Sequence, residues 1–266
     1  MRQINLLNVT IHDMTMQELL DRLRDGGIVF TPNVDHVMKL QTNREFYGVY
    51  QEADYRVCDS KVLMYVSNFL GTPIQEKISG SDLFPAFYYY YQHDKNINIF
   101  LLGSEAEIVD QAGKNINTKV GRDMVTAVHS PSFGFEKNEQ ECQKIVELIN
   151  RSQATVLAIG VGAPKQEMWI AKYREQLKYV KIFLAIGATI EFEAGSIERA
   201  PKWMSEIGLE WLYRLANEPQ RLWKRYILSI FPFFYLILQQ RLQLYRNPWL
   251  GIDEKTEKQL ISMIKK

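Results

Sequence analysis

The sequence predicts an α/β protein, a mostly parallel sheet with helices on both faces. Three observations carry this reading. Short apolar runs rich in Val, Ile and Phe recur along most of the chain, each is followed by a segment of helical periodicity, and the junctions are marked by Gly, Pro, Asn, Asp or Ser. A run without polar alternation belongs to a strand covered on both faces, which is the situation of a parallel sheet between two helical layers.

The elements follow in order. The first dozen residues predict a small β-element ahead of the sheet. Strands are expected over Ile28–Thr31, Tyr55–Cys58, Ile97–Gly103, Met124–His129, Thr155–Gly160 and Lys181–Ile186. Helices are expected over Val34–Leu40 and on toward Ala53, then Lys61–Leu70, Asp82–Gln92, Glu105–Thr118, Glu139–Arg151 and Pro164–Gln176. A sheet wound in this way is Rossmann-like, and its ligands sit beyond the carboxyl ends of the strands. Chemistry is therefore sought in TPN (31–33), CDS (58–60), GSE (103–105), HSPSFG (129–134), GVGAPKQE (160–167) and GATIEFEAG (187–195).

Composition narrows the classes. The 266 residues carry 32 basic and 31 acidic side chains, a net charge of +1, which argues against a nucleic-acid binder. Two distant cysteines, Cys58 and Cys142, exclude a disulfide framework and a Cys-rich zinc module and fit a reducing cytosol. The polar N-terminal string MRQINLLNVTIHDM argues against a signal peptide. The most apolar run, Ile227–Leu238, is interrupted by Pro232 and falls short of the roughly 20 residues that a spanning helix needs. It is long enough to lie in an interface.

Composition shifts near residue 199. Between there and Arg246 stand Arg199, Lys202, Arg214, Arg221, Lys224, Arg225, Arg241 and Arg246 against Glu206, Glu210 and Glu218, with Trp203, Trp211 and Trp223 among them. The expected organisation is an α/β body over 1–198 and a basic, aromatic, helical appendage over 199–266.

Several strings bear on chemistry, each with a plainer alternative. In GVGAPKQEMW, Gly160 and Gly162 allow a tight turn and close backbone approach, Pro164 suits the first helical position, and the free N–H groups behind it suit phosphate. Lys165, Gln166 and Glu167 exceed what a simple strand-to-helix turn requires, although the string is not GxGxxG. Thr31 and Asn33 can bind a hydroxyl or a phosphate, or Asn33 can simply cap the next helix. Asp59 after an apolar strand suits a general base, or it caps the helix from Lys61. Glu191 and Glu193 of EFE would share a face on a strand, but no DxD, HExxH or other ligand spacing supports a metal site. Arg214, Arg221 and Arg225 share one helical face unless Pro219 breaks the helix, and guanidinium groups there suit a diphosphate or anionic headgroups. The alternative is an amphipathic helix packed on the body or in a dimer.

Taken together, TPNVDHVMKLQ, ADYRVCDSKVL, GTPIQEKISGSDLF, IFLLGSE, IGVGAPKQEMW, IGATIEFEAGSIERAPKWM and GLEWLYRLANEPQRLWKRY resemble the WecG/TagA/CpsF glycosyltransferases (glycosyltransferase family 26), from about Leu6 to Tyr226. The resemblance implies an inverting, metal-independent enzyme without a cofactor. It would move a hexose, N-acetylmannosamine or a related uronic acid, from a UDP-sugar to a sugar on an undecaprenyl-diphosphate carrier. It would work in cell-surface polysaccharide biosynthesis, as a cytoplasmic protein held peripherally on the inner membrane face. The family's base falls on Asp59, its donor-site residues on Thr31, Asn33 and Gln166, and its tail arginines on Arg214, Arg221 and, at one further position, Lys224 or Arg225. Gly103, Gly160, Gly162, Lys165 and Glu191 complete the expected substrate site. Three departures stand out. Lys77 replaces a usual Arg and loses its bidentate fork, Ser60 stands where Gly is common, and Ile190-Glu191 stands where Phe-Asp is common. These give what support there is to the alternative of a catalytically silent, membrane-associated partner in polysaccharide assembly. A nicotinamide oxidoreductase is disfavoured by the missing GxGxxG. The apolar tail would also serve a homo-oligomer.

Overall fold

A computed structural model describes residues 1–201, 204, 212–213 and 219–250, with the backbone alone over 219–229. The chain opens with an antiparallel hairpin, β1 (Arg2–Leu6) and β2 (Val9–Asp13), closed by Leu7 and Asn8. Helix α1 (Met16–Arg22) starts at a capping box in which Thr15 and Glu18 satisfy each other's backbone N–H.

The main sheet then begins. Its strands are β3 (Gly27–Phe30), β4 (Tyr55–Arg56), β5 (Ile99–Gly103), β6 (Val125–His129), β7 (Val156–Gly160) and β8 (Ile182–Ala185). All are parallel, in the spatial order β4-β3-β8-β7-β5-β6. From β5 the chain moves outward to β6, and from β7 it moves the other way to β8. The adjacent pair β5 and β7 is therefore a point where the winding reverses, and a crevice opens there between the following loops.

Alternate residues of each strand feed opposite layers. Phe30, Phe100, Leu102, Leu157, Ile159, Phe183 and Ala185 join one core with α2 (Val34–Thr42), α3 (Arg44–Gln51), α7 (Glu139–Ser152) and α8 (Lys165–Tyr173). Val29, Ile99, Leu101, Val156, Ala158, Ile182 and Leu184 join the other with α1, α5 (Gly80–Tyr90) and α6 (Ala106–Val120). Helix α4 (Lys61–Phe69) follows β4 on the first side and buries Leu63 and Val66 there. This two-sided burial explains why the strands read as unbroken apolar runs.

Some expectations change in detail. The helix expected from Val34 to Ala53 is two helices, because Asn43 donates its N–H to Lys39 O to close α2 and accepts from Phe46 N to open α3. Pro164 sits at the cap before α8, one position earlier than expected, after a cis Ala163–Pro164 peptide. EFE is not a strand. Thr189–Ala194 forms α9, bracketed by Gly187 at φ +56° and Gly195 at φ +77°, and it buries Thr189, Ile190 and Glu193 at helical spacing. The period-two pattern misled because α9 is barely longer than one turn. On a helix Glu191 and Glu193 diverge, so they do not form a shared carboxylate face.

The last described helix, α10 (Pro219–Arg241), begins at Pro219 and continues through Pro232. Its Phe233 and Ile237, one turn apart, are buried in the first core. Gln240 accepts from Leu7 N at 2.8 Å and donates to Asn5 O at 2.9 Å, tying the helix to the hairpin. Beyond it Trp249 Nε1 donates to Leu40 O at 2.7 Å and Tyr245 to Gln41 at 2.7 Å. The outer face leaves Phe231, Phe234, Tyr235, Leu238 and Leu242 exposed. Among the described residues no helix is long and apolar enough to cross a membrane.

Candidate active site

The strand ends place most of the expected residues along one edge of the sheet. Reading across it, β4 delivers Asp59, β3 delivers Thr31 and Asn33, β8 delivers Gly187, β7 delivers Gly160 and Gly162, and β5 delivers Gly103. Neighbouring strands are about 4.8 Å apart, so this row extends over roughly 24 Å. That is enough for a base, a diphosphate and a sugar side by side.

At the β4 end the Asp59 N–H donates to Pro32 O at 3.0 Å, which fixes its loop against the end of β3. The plainer role for Asp59, capping α4, belongs to Ser60 instead, whose hydroxyl accepts from Leu63 N at 3.4 Å. The carboxylate is thereby released from helix duty. Asn33 does cap, accepting from His36 N at 3.1 Å, while its amide NH₂ stays available. Thr31 is buried beside it. The neighbouring Cys58 thiol is pushed up to about 12 by burial, so it is not a nucleophile at neutral pH.

Lys77 approaches the same end. Ile78 N donates to Cys58 O at 2.8 Å, laying the 77–79 segment along the Asp59 loop. The Lys77 ammonium pairs with Asp82 Oδ2 at 3.2 Å. Ser79 caps α5, and a Cβ on Gly80 would stand 3.1 Å from Ile186 O, so the start of α5 abuts the end of β8.

In the middle, side chains give way to backbone. A Cβ on Gly103 would come within 2.5 Å of Gly160 O, and one on Gly160 within 2.4 Å of Gly187 O. Only glycine lets the three strand ends close this tightly, and the result is a floor of bare backbone. Above it opens a crevice of about 330 Å³ lined by Ser104, Ser132, Phe133, Gly162, Lys165 and Glu191 among others. Helix α8 points its first turn into this crevice with no side-chain cap, so its N–H groups face any anionic ligand.

The crevice wall is charged and half-satisfied. Lys165 lies 3.5 Å from Glu136 Oε1 and 4.8 Å from the centre of the Phe133 ring. Glu136 Oε2 and Glu191 Oε2 are buried without a hydrogen-bond partner among the described residues. Glu193, by contrast, is spent structurally on Lys119 at 2.6 Å and Tyr88 at 3.1 Å. Among the described residues no three His, Cys, Asp or Glu side chains converge as metal ligands.

Gln166 joins the two halves of the site. Its Oε1 accepts from Gly187 N at 3.3 Å, and its Nε2 donates to Glu167 Oε1 at 2.8 Å. Glu167 is fully buried and pushed up to about 7 by that burial, against the smaller opposing effects of the Gln166 bond and Lys39. Lys39 in turn pairs with Asp35 at 2.8 Å and donates to Ala163 O at 3.1 Å, bracing the turn before α8.

Of the expected tail residues, Arg214 lies outside the described residues. Arg221 and Arg225 lie on α10, four residues apart, with only their backbone described. Sequence reading singled out neither Phe133 nor the Asp82–Arg199 pair. Phe133 stood in a loop already marked for chemistry, HSPSFG, and Arg199 in the motif string ERAPKW, so both strings carried a signal that was not followed to a residue.

A parallel sheet with a glycine-floored crevice at its winding reversal, an uncapped helix start and an acid at a nearby strand end defines an enzyme of the α/β class acting on a phosphorylated ligand. The family model described as "Glycosyl transferase WecG/TagA/CpsF family" matches residues 4–247, and the chain belongs to that family: it is a glycosyltransferase. It is similar to the N-acetylglucosaminyldiphosphoundecaprenol N-acetyl-beta-D-mannosaminyltransferase of Bacillus spizizenii, 27% identical over 206 residues that cover 77% of this chain and 76% of that protein. It is also similar to the enzyme of the same name from Bacillus subtilis strain 168, 24% identical over 215 residues, 81% of this chain and 80% of that one.

Proposed function

We propose that the protein transfers N-acetylmannosamine, or a closely related hexose, from a UDP-sugar to an N-acetylglucosamine carried on undecaprenyl diphosphate. The acceptor class rests on the names of the two relatives. The observation that carries the reading is the row of strand ends, with a glycine-floored crevice at one side and Asp59, freed from capping by Ser60, at the other. The nucleotide lies in the crevice against Phe133, its ribose hydroxyls donating to the unpartnered oxygen of Glu191. The diphosphate crosses the start of α8, near Gly162, Lys165 and Gln166. The sugar reaches the β4 end, where Thr31 and Asn33 hold its hydroxyls.

Chemistry is then a single inverting displacement. Asp59 takes the proton of the acceptor hydroxyl as that oxygen attacks the anomeric carbon, and UDP departs from the opposite face. Lys77, the α8 N-terminus and the arginines at 214, 221 and 225 balance the charge that grows on the leaving diphosphate. This assigns the stabilisation to protein groups, so turnover is expected to survive EDTA, and its loss would overturn that part. Proton abstraction by a placed base contributes about 10²–10⁴-fold, so Asp59→Asn should lower turnover by that factor with the melting temperature unchanged. The assay is UDP release from UDP-N-acetylmannosamine with a short-chain lipid-diphosphate acceptor. Full activity in the variant would remove Asp59 from the mechanism.

The acceptor's lipid would lie at the inner face of the cytoplasmic membrane, with the protein peripheral to it. The support is the outer face of α10, where Phe231, Phe234, Tyr235 and Leu238 are exposed within a basic stretch of chain. The body over 1–198 and the segment over 199–266 are then a catalytic and a membrane-contacting part.

A further inference from the structure

One cluster at the edge of the site has no part in the mechanism above. Asp82, in the first turn of α5, receives two cations on its two oxygens. Lys77 Nζ lies 3.2 Å from Oδ2, and Arg199 Nη2 lies 2.6 Å from Oδ1. Ser79 Oγ donates to Oδ2 at 2.6 Å. Arg199 is held further by Ser81, with Nη1 3.2 Å from the carbonyl oxygen and Nη2 3.1 Å from the hydroxyl. Its guanidinium also stands 5.9 Å from the Phe192 ring centre.

The partners come from two places with different duties. Lys77 runs beside the Asp59 loop, and only 13% of its side chain is exposed. Arg199 opens the basic stretch that leads to positions 214, 221 and 225. Burial alone would raise the Asp82 carboxyl, yet the Arg199 and Ser79 bonds and the Lys77 charge hold it below the ordinary carboxylate value, so it stays ionised and keeps both cations. Five bonds on one short turn exceed what capping α5 requires, since Ser79 already does that.

We propose that Asp82 is a positioning residue shared by the active site and the C-terminal segment, holding the Lys77 ammonium at the site and anchoring the root of the segment through Arg199. A diphosphate arriving at Lys77 competes with Asp82 for the ammonium. As Lys77 turns toward phosphate, the carboxylate is left to Arg199, and that pair tightens. Ligand binding and placement of the segment are thus linked, and the linkage acts equally in both directions. The inference rests on the reading of Lys77 as a cation for the leaving diphosphate.

The test uses the full chain and chymotrypsin, whose sites at Trp203, Trp211 and Tyr213 are untouched by the substitutions. UDP is expected to slow cleavage there in the wild type by about five- to tenfold, at the low end of common coupling strengths. In Asp82→Asn and Arg199→Ala cleavage without UDP should be faster and the protection by UDP lost, with Arg199→Lys restoring it in part. Asp82→Asn should bind UDP more tightly, because the competing carboxylate is gone, while turnover with the lipid acceptor falls. A merely structural Asp82 would instead lose melting temperature and UDP affinity together, and that result overturns the proposal. So does equal protection in wild type and Asp82→Asn, or no protection in the wild type, a measurement that needs no variant. If Lys77→Ala binds UDP as the wild type does, it is the reading of Lys77 that fails, and the linkage fails with it.

Discussion

Glu167 shows how one buried side chain makes the site sensitive to pH. It is fully buried in the first turn of α8, one oxygen bonded to Gln166 and the other without a partner among the described residues. Burial favours its neutral form, so it titrates at about 7 instead of 4.5. An unfolded chain releases this proton near its ordinary value, whereas the folded chain keeps it until about 7. The contribution is therefore fully present below 4.5 and is lost as pH rises toward 7. His12, lowered to about 4 mainly by burial, slopes the other way, so a single curve would mix the two. The difference between wild type and Glu167→Gln isolates the first. Urea midpoints at pH 5 and pH 8 should differ less in the variant than in the wild type, and an equal decline would show that Glu167 does not titrate in this range. The same residue illustrates what sequence can and cannot show. PKQE was visibly more than a turn, but that Glu167 holds the amide of Gln166 follows only from the burial of α8 against α2 and α3.

At the scale of elements, the strand ends matter more than the strands. Gly160 closes β7 against β8, and an added Cβ would stand 2.4 Å from Gly187 O and 2.9 Å from Ile190 Cδ1. Gly160→Ala must push strand and helix apart, which costs about 1–3 kcal/mol and fills the floor of the crevice. A lower denaturant midpoint together with loss of UDP binding is expected, and unchanged UDP affinity would place the nucleotide elsewhere. Gly48 makes the opposite case on the same protein. It lies within α3, and its Cβ would meet nothing within 4 Å. Gly48→Ala should stabilise the fold by about 0.5–1 kcal/mol, because alanine loses less backbone freedom on entering a helix, with turnover unchanged. Both glycines look alike in the sequence. The β7 turn was legible because GVG followed an apolar run, but the close approach of three chains at Gly103, Gly160 and Gly187 depends on a strand order that brings residues far apart in sequence side by side.

At the scale of the molecule, α10 has two faces with separable duties. Phe233 and Ile237 are buried against the α/β body, and Phe231, Phe234, Tyr235 and Leu238 are exposed. Phe233→Ala should destabilise the whole protein by about 3–5 kcal/mol, read as a lower urea midpoint, because the cavity opens in the shared core. Phe234→Glu with Leu238→Glu should leave that midpoint unchanged and abolish binding to vesicles containing phosphatidylglycerol. The second pair binding vesicles as well as the wild type would remove α10 from the membrane-contacting role. Sequence suggested a helix that either lies in an interface or packs on the body. The structure gives this helix a buried and an exposed side.

The sequence alone determined the layer architecture and the places to look. Both follow from local chemistry: strands covered twice must be apolar throughout, and the turns that bind ligands need glycine, proline and small polar residues at fixed offsets. It also carried enough ordered motifs to indicate the family. What it left open were choices between two local roles of equal plausibility, such as Asp59 as base or cap, EFE as strand or helix, and Glu167 as turn residue or support. Tertiary structure decided these because each depends on a partner remote in the chain or on a competitor next door. Ser60 takes the cap, Glu193 turns toward Lys119, and Gly187 meets Gln166. Arg199 meeting Asp82 across 117 positions is beyond any local pattern, since only the packing of α5 against the end of β8 brings the two together.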